Sequence, residues 1–315
     1  MQDLTPLAEK RIKDYIRVTP LEYSPYLSQR GKCNVYLKLE NFQLTGSFKL
    51  RGAMNKLLSL TPVQRKRGVI TASTGNHGLA VAHGVSVLGG RGIIYLPHNA
   101  TSSKIERLRT YNVELRFQGH DCLQAELSAK KYAEEHGMDY ISPYNDLKII
   151  AGQATVGKEI SEQAEKIDCV LVPVGGGGLI SGVAGYLKQK EKEIEVIGCQ
   201  PEASPVMYES LKAGKIIDME SKETLSDGTA GGIEKEAITF ELCRKYVDDF
   251  YLVSEEEIKE ALKFLIEKHF FLVEGAGALT LAAFLQRKEH FKGKNVVLII
   301  SGSGISLNLL KKILG

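Results

Sequence analysis

Four short loops in this 315-residue chain carry residue types that could do chemistry together. The first, at 41–53, reads NFQLTGSFKLRGA. Ser47 stands where an N-cap belongs, and a helix would run on through Ala53, Met54, Leu57 and Leu58. Lys49 then falls at the second helical position, where the positive end of the helix dipole disfavours a cation. That field, with partial burial, lowers the amine's pKa, which is what a Schiff-base lysine needs. The plain alternative is a solvated surface lysine.

The second loop, STGNHG at 73–78, follows an apolar run and opens into a helix. Free N–H groups at such a place bind a carboxylate or a phosphate. An ordinary strand–helix turn, capped by Ser73 or Asn76 and with His77 satisfied in the structure, would look the same. The third loop is Gly175, Gly176, Gly177 and Gly178, between CVLVPV and LISGVAGYL. One or two glycines suffice for a tight turn. Four leave several N–H groups unobstructed, as a phosphate cradle requires. The spacing is not GxGxxG and no Gly-Lys-Ser/Thr follows, so one phosphate group is the natural ligand rather than a dinucleotide. The fourth loop, SGSG at 301–304, follows NVVLII, and Ser301 offers a hydroxyl to a neutral ring nitrogen. It could also be one more turn.

Loops of this kind need strands to end in and helices to open. Apolar or alternating runs at 35–40, 68–72, 92–96, 113–117, 169–174, 195–199, 250–253 and 295–301 read as strands. Amphipathic segments at 122–136 and 255–269 read as helices, the second with Ile258, Ala261, Leu262, Leu265 and Ile266 on one face. Strand–helix alternation throughout predicts an α/β protein with parallel sheets. No repeat, low-complexity tract or linker marks a domain boundary.

Composition narrows the partners. Lys and Arg number 41 against 38 Asp and Glu, a net charge of +3, so nothing points to nucleic acid. The stretch 169–187 has the length of a membrane span but breaks its own helix at Pro173 and the four glycines. The N-terminus is not a secretory signal. Five scattered cysteines without a CxxC, Cys122 among them, fit reduced thiols in the cytoplasm and not a disulfide framework or zinc site.

An amine nucleophile, an anion-binding turn, a one-phosphate cradle and a ring-nitrogen partner together describe a site for pyridoxal 5′-phosphate. Their order and context carry a resemblance. KLENFQLTGSFKLRGA, STGNHG, IAGQATVGKEI, VPVGGGGLISG, TLSDGTAGG, VEGAGAL and SGSG resemble the fold-type-II pyridoxal-phosphate enzymes, in particular the serine/threonine dehydratase and serine racemase group. The similarity runs from Thr19 to the SGSG loop. It implies a tryptophan-synthase-β-like α/β fold of two lobes, each an open, largely parallel sheet flanked by helices. The large lobe would be 1–51 with 138–315, and the small, mobile one 52–137.

By the same resemblance Lys49 is the Schiff-base lysine, with Phe48 beside the ring. Asn76 bonds the cofactor's 3′-oxygen, and the four glycines hold its phosphate. Ser301 meets its ring nitrogen. Ser73, Thr74, Gly75, Asn76 and His77 take the substrate carboxylate. The reaction implied is loss of water from L-threonine or L-serine, giving a 2-oxo acid and ammonia. Lys49 removes the α-proton, and a neutral Ser301 favours elimination over a long-lived carbanion. The family implies a homodimer or homotetramer, a small amino acid as substrate, and no membrane partner.

Three departures qualify it. Racemases of the group carry a serine at Thr74, which reprotonates the opposite face. Thr74 keeps a hydroxyl, so an amino-acid racemase stays open. The group's divalent-cation site would fall at Gln200 and Val206, neither of which supplies a carboxylate, so no metal is expected. STGNHG and DGTAGG resemble most a hydroxyectoine-utilisation subgroup, where Gly231 and Gly232 would leave room for a larger substrate such as a 3-hydroxyaspartate. The chain ends at Gly315, just after the SGSG helix, which predicts no regulatory domain and a catabolic role.

Overall fold

The computed structural model describes residues 1, 3–120 and 122–315, except the side chains of Ser103 and Cys122. The thiol expected at Cys122 therefore lies outside the described residues.

The strands form two sheets. The larger takes the order β1-β2-β10-β7-β8-β9 and the smaller β5-β4-β3-β6. β1 (Leu21–Tyr23) runs antiparallel to β2 (Asn34–Leu39). Every other pairing is parallel: β10 (Asn295–Ile300) lies between β2 and β7 (Cys169–Pro173), and β8 (Glu195–Pro201) between β7 and β9 (Asp249–Val253). In the smaller sheet β4 (Gly92–Leu96) joins β3 (Val69–Ala72) to β5 (Glu114–Phe117), and β6 (Asp139–Tyr140) adds to the far side of β3. This is a two-sheet α/β architecture, as the resemblance implies.

Parallel strands covered by helices on both faces must be apolar throughout. β7 and β4 are buried at every position. Leu37, Leu171 and Leu298 face one core of the larger sheet, and Val170, Val172 and Val297 the other. The strands predicted from sequence are present, with ends moved by a residue or two. β1 and β6 were not predicted. Three and two residues long at the sheet edges, they carry no alternation to read. Because β6 pairs with β3, the smaller sheet extends to Tyr140, past the expected lobe edge at 137.

The helix Lys49–Ser59 passes between the sheets. Its Leu50, Ala53, Met54 and Leu57, at i, i+3, i+4 and i+7, pack into the core of the smaller sheet. On its opposite side Gly52 faces Gly152 of the helix Leu147–Gln163. A side chain at Gly152 would begin 2.6 Å from the Cα of Gly52, so the two helices cross only because both are glycine.

Candidate active site

The four loops follow the carboxyl ends of β2, β3, β7 and β10, and they meet. A cavity of about 320 Å³ between the sheets is lined by Phe48, Lys49, Ser73, Thr74, Gly75, Asn76, His77, all four glycines from Gly175 to Gly178, and Ser301. Two strand-end loops are tied to each other: Phe48 N–H donates to the Ser301 carbonyl at 3.1 Å, and Ser303 N–H to the Gly46 carbonyl at 2.9 Å.

Lys49 is the first residue of its helix, not the second. Ser47 does not cap it. Phe48 occupies the cap position without a side-chain bond, while the Ser47 hydroxyl is buried and has no hydrogen-bond partner. The bridge between Ser47 and Gly302 holds this stretch in the strand-end pairing, away from the helix amides. The Lys49 amine donates to the Pro143 carbonyl at 2.9 Å and stands 5.3 Å from the centre of the Phe48 ring. Burial lowers its pKa to about 8, against the opposing pull of the Glu274 carboxylate. Burial, more than the helix dipole, is what prepares this amine.

The helix Asn76–Leu88 starts without a side-chain cap, and neither Ser73 nor Asn76 supplies one. The Ser73 hydroxyl instead accepts from Gly75 N–H at 3.2 Å. The positive end of this helix therefore opens on the cavity. His77 is buried with Nε2 donating to the Ile141 carbonyl at 2.9 Å, since a carbonyl can only accept. Burial first, then the Lys49 charge, holds its pKa down near about 3, so the ring is neutral. It anchors the helix start to the end of β6. Thr74 lines the cavity with its hydroxyl unbonded within the described residues.

The helix Gly178–Lys190 also lacks a side-chain cap. Only Gly177 of the four glycines adopts a left-handed conformation, at φ +85°. At the other three a side chain would crowd the protein itself, most severely at Gly176. A Cβ on Gly176 would lie 2.4 Å from the Tyr144 ring, one on Gly178 3.0 Å from the Tyr144 Cβ, and one on Gly175 3.0 Å from the Thr229 Cα. Tyr144 is held by its hydroxyl, which accepts from Glu234 N–H at 2.9 Å. The loop is thus pressed between neighbours, with its amides at the cavity wall.

Glu274 was not singled out in the sequence, although VEGAGAL was. It is buried on the cavity wall, where Asn76 Nδ2 donates to both its oxygens at 2.8 and 2.9 Å and Gly304 N–H to one at 3.0 Å. Burial raises its pKa, and the Asn76 bond opposes this. A lone acid in an otherwise apolar stretch was the available signal. Asp227 lies inside the quoted TLSDGTAGG, while Lys104 and Arg107, also in the lining, had no such signal.

Gly231 and Gly232 do not line the cavity; Gly228, Thr229 and Ala230 do, so room for a larger substrate is not theirs to give. Gln200 is buried with its amide spent internally, Oε1 accepting from Tyr208 N–H at 2.8 Å and Nε2 facing the Ser204 carbonyl at 3.5 Å. Among the described residues no group of three or more His, Cys, Asp or Glu could hold a metal ion.

Residues 12–302 match the family described as pyridoxal-phosphate-dependent enzyme. The chain is 42% identical over 308 residues to the L-threonine ammonia-lyase of Thermotoga maritima, covering 98% of this chain and 76% of that protein. Its fold superposes on the processed form of threonine deaminase isoform 2 from Solanum lycopersicum with a TM-score of 0.95 at 33% identity, covering 99% of this chain and 87% of that one. It superposes on maize serine racemase with a TM-score of 0.93 at 33% identity, covering 99% and 96%.

Proposed function

The chain belongs to the pyridoxal-phosphate-dependent enzymes, and from that premise we propose that it removes water from L-threonine or L-serine, releasing a 2-oxo acid and ammonia. The observation that carries the reading is the convergence of a pKa-lowered lysine and two uncapped helix N-termini on one cavity.

The cavity fits pyridoxal 5′-phosphate. Lys49 offers the amine for its aldehyde. The amides of Gly175, Gly176, Gly177 and Gly178, at the start of the helix Gly178–Lys190, suit its phosphate. Ser301 suits the ring nitrogen, Asn76 the ring oxygen, and Phe48 packs beside the ring. Bound there, the cofactor supplies an electron sink for the bond broken at Cα.

The protein's own residues do the rest. The helix start at 73–77 orients the substrate carboxylate through free amides and the Thr74 hydroxyl. Lys49 Nζ, neutral for much of the time above pH about 8, takes the α-proton. Neutral His77 adds no charge to compete for the carboxylate, and fixes the loop that holds it. Glu274 fixes the Asn76 amide.

The lobe 52–137 is the part that closes over substrate in this reading. Three ion pairs among the described residues join it to the rest of the chain: Lys56 with Asp146 at 2.7 Å, Lys104 with Asp227 at 3.0 Å, at the cavity mouth, and Lys130 with Glu234 at 3.5 Å. No helix among the described residues is long and apolar enough to cross a membrane. With Cys33, Cys169, Cys199 and Cys243 free and buried, a reducing cytoplasm suits it, and two or four copies would form the working assembly.

A 2-oxo-acid assay across L-threonine, L-serine, D-serine and 3-hydroxyaspartate tests the reading. 2-Oxobutyrate from L-threonine and pyruvate from L-serine are expected; neither product forming would reject it. The unbonded Thr74 hydroxyl favours one second reading, an amino-acid racemase, because an acid is needed to return the proton to the other face. Chiral analysis of serine after incubation separates the two, and Thr74→Ala should lower racemisation far more than elimination.

A further inference from the structure

A phosphate loop works only if its amides, and not its carbonyls, face the ligand. Glycine lets a peptide turn either way, so four in a row leave the direction open. One contact settles it in the middle of the loop. The Thr239 hydroxyl donates to the Gly176 carbonyl at 2.7 Å. All four glycines line the cavity and Thr239 does not, so this bond is made behind the loop. In a planar trans peptide the C=O and the next N–H point opposite ways. Holding the Gly176 oxygen behind the loop therefore turns the Gly177 N–H to the cavity side.

Thr239 is itself held. It is buried in the first turn of the helix Ile238–Tyr246. Ile238 N–H donates to Asn145 Oδ1 at 2.9 Å, and Asn145 Nδ2 to Glu234 Oε2 at 3.1 Å. The Thr239 Cβ lies 3.0 Å from where a side chain on Gly177 would begin, with Met207 Cε at 2.8 Å and Cys243 Sγ at 3.3 Å from the same point. Branching at Cβ limits the rotamers open to the hydroxyl. Tyr144, next to Asn145 and on the cavity wall, packs against Gly176 and Gly178. The loop is thus gripped from both sides, and one hydrogen bond chooses the direction of its central peptide. Without that bond the carbonyl loses its partner and the peptide is free to turn over, so that an oxygen rather than an amide meets the anion.

Resting on the reading of Gly175–Gly178 as the cofactor's phosphate loop, we propose that Thr239 is a positioning residue: its hydroxyl fixes the peptide between Gly176 and Gly177 so that the Gly177 N–H is offered to the phosphate of pyridoxal 5′-phosphate. It touches neither cofactor nor substrate and acts through the loop alone.

The test measures, by equilibrium dialysis, the affinity of the full-length protein for pyridoxal 5′-phosphate and for pyridoxal, which lacks the phosphate. Thr239→Val keeps the shape and removes the hydroxyl; Thr239→Ser keeps the hydroxyl. The preference for the phosphorylated form should fall about tenfold or more in Thr239→Val and stay near the wild-type value in Thr239→Ser. The phosphorus NMR signal of the bound cofactor should shift in the valine variant and hold in the serine one. Thr239→Ala reads the same preference should the valine variant not fold. An unchanged preference without the hydroxyl, an unmoved phosphorus signal, or equal losses for both ligands overturns the proposal. A wild type with no preference for the phosphorylated form instead overturns the phosphate-loop reading beneath it.

Discussion

Lys49 and Arg51 are two residues apart on one helix and meet opposite surroundings. On the Arg51 side every charge is answered. Arg51 donates to both oxygens of Glu40 and both of Glu159, at 2.6 to 2.8 Å, and Lys38 donates to Glu159 at 2.6 Å. On the Lys49 side, groups are left over: an amine held by one carbonyl, helix amides without caps, and Thr74 and Arg107 without partners. The difference separates structure from chemistry. A buried charge is tolerated only when paired, so the paired side holds the helix still, and the unpaired side is free to bind.

Breaking each side should therefore damage different properties. Lys49→Ala should cost about 10³-fold or more in turnover, by loss of both amine and base, while the urea midpoint of the apo-protein moves little. Arg51→Ala should do the reverse first. It strands Glu40 and Glu159 in the interior, at a cost of about 3–5 kcal/mol in unfolding free energy by urea titration. If Arg51→Ala were as stable as the wild type, the contrast would fail. Gly176→Ala drives a methyl into the Tyr144 ring, and should weaken cofactor binding about tenfold or more by equilibrium dialysis, with less loss of stability than Arg51→Ala.

The two sides also respond to pH, in the same direction but in separate windows. Lys49 has a folded pKa of about 8 against 10.5 in the unfolded chain. Between those values the unfolded state binds more protons, so this group makes stability rise with pH from about 8 to 10.5. Glu159 works at the other end. Burial raises its pKa, but Arg51 and Lys38 overcome this and lower it, so its stabilisation is present above 4.5 and fades as pH falls below. Urea midpoints across pH for wild type, Lys49→Ala and Glu159→Gln check both windows. The smallest effect is at the rim. Lys104→Ala removes an exposed pair with Asp227 and should change stability by under about 1 kcal/mol.

How much of this was legible beforehand follows from range. Local periodicity located eight strands, because a parallel strand covered on both faces is apolar along its length. β1 and β6 escaped, since their identity lies in what they pair with. The loop residues could be named from their types, and all line one cavity. The reason for three of the glycines could not, because Tyr144 and Thr229 come from distant segments. Ser47 looked like a cap and is not one, because strand-end pairing with Gly302 overrides a local preference. The Arg51 network and Glu274 depend on partners far along the chain, and no spacing announces those.

Borohydride reduction of the holoenzyme followed by peptide mapping asks which lysine carries the cofactor. The pyridoxyl label is expected on Lys49, in the peptide containing SFKLRGA. A label on Lys104, or on any other lysine, would contradict the division of that helix into a chemical face and a structural one.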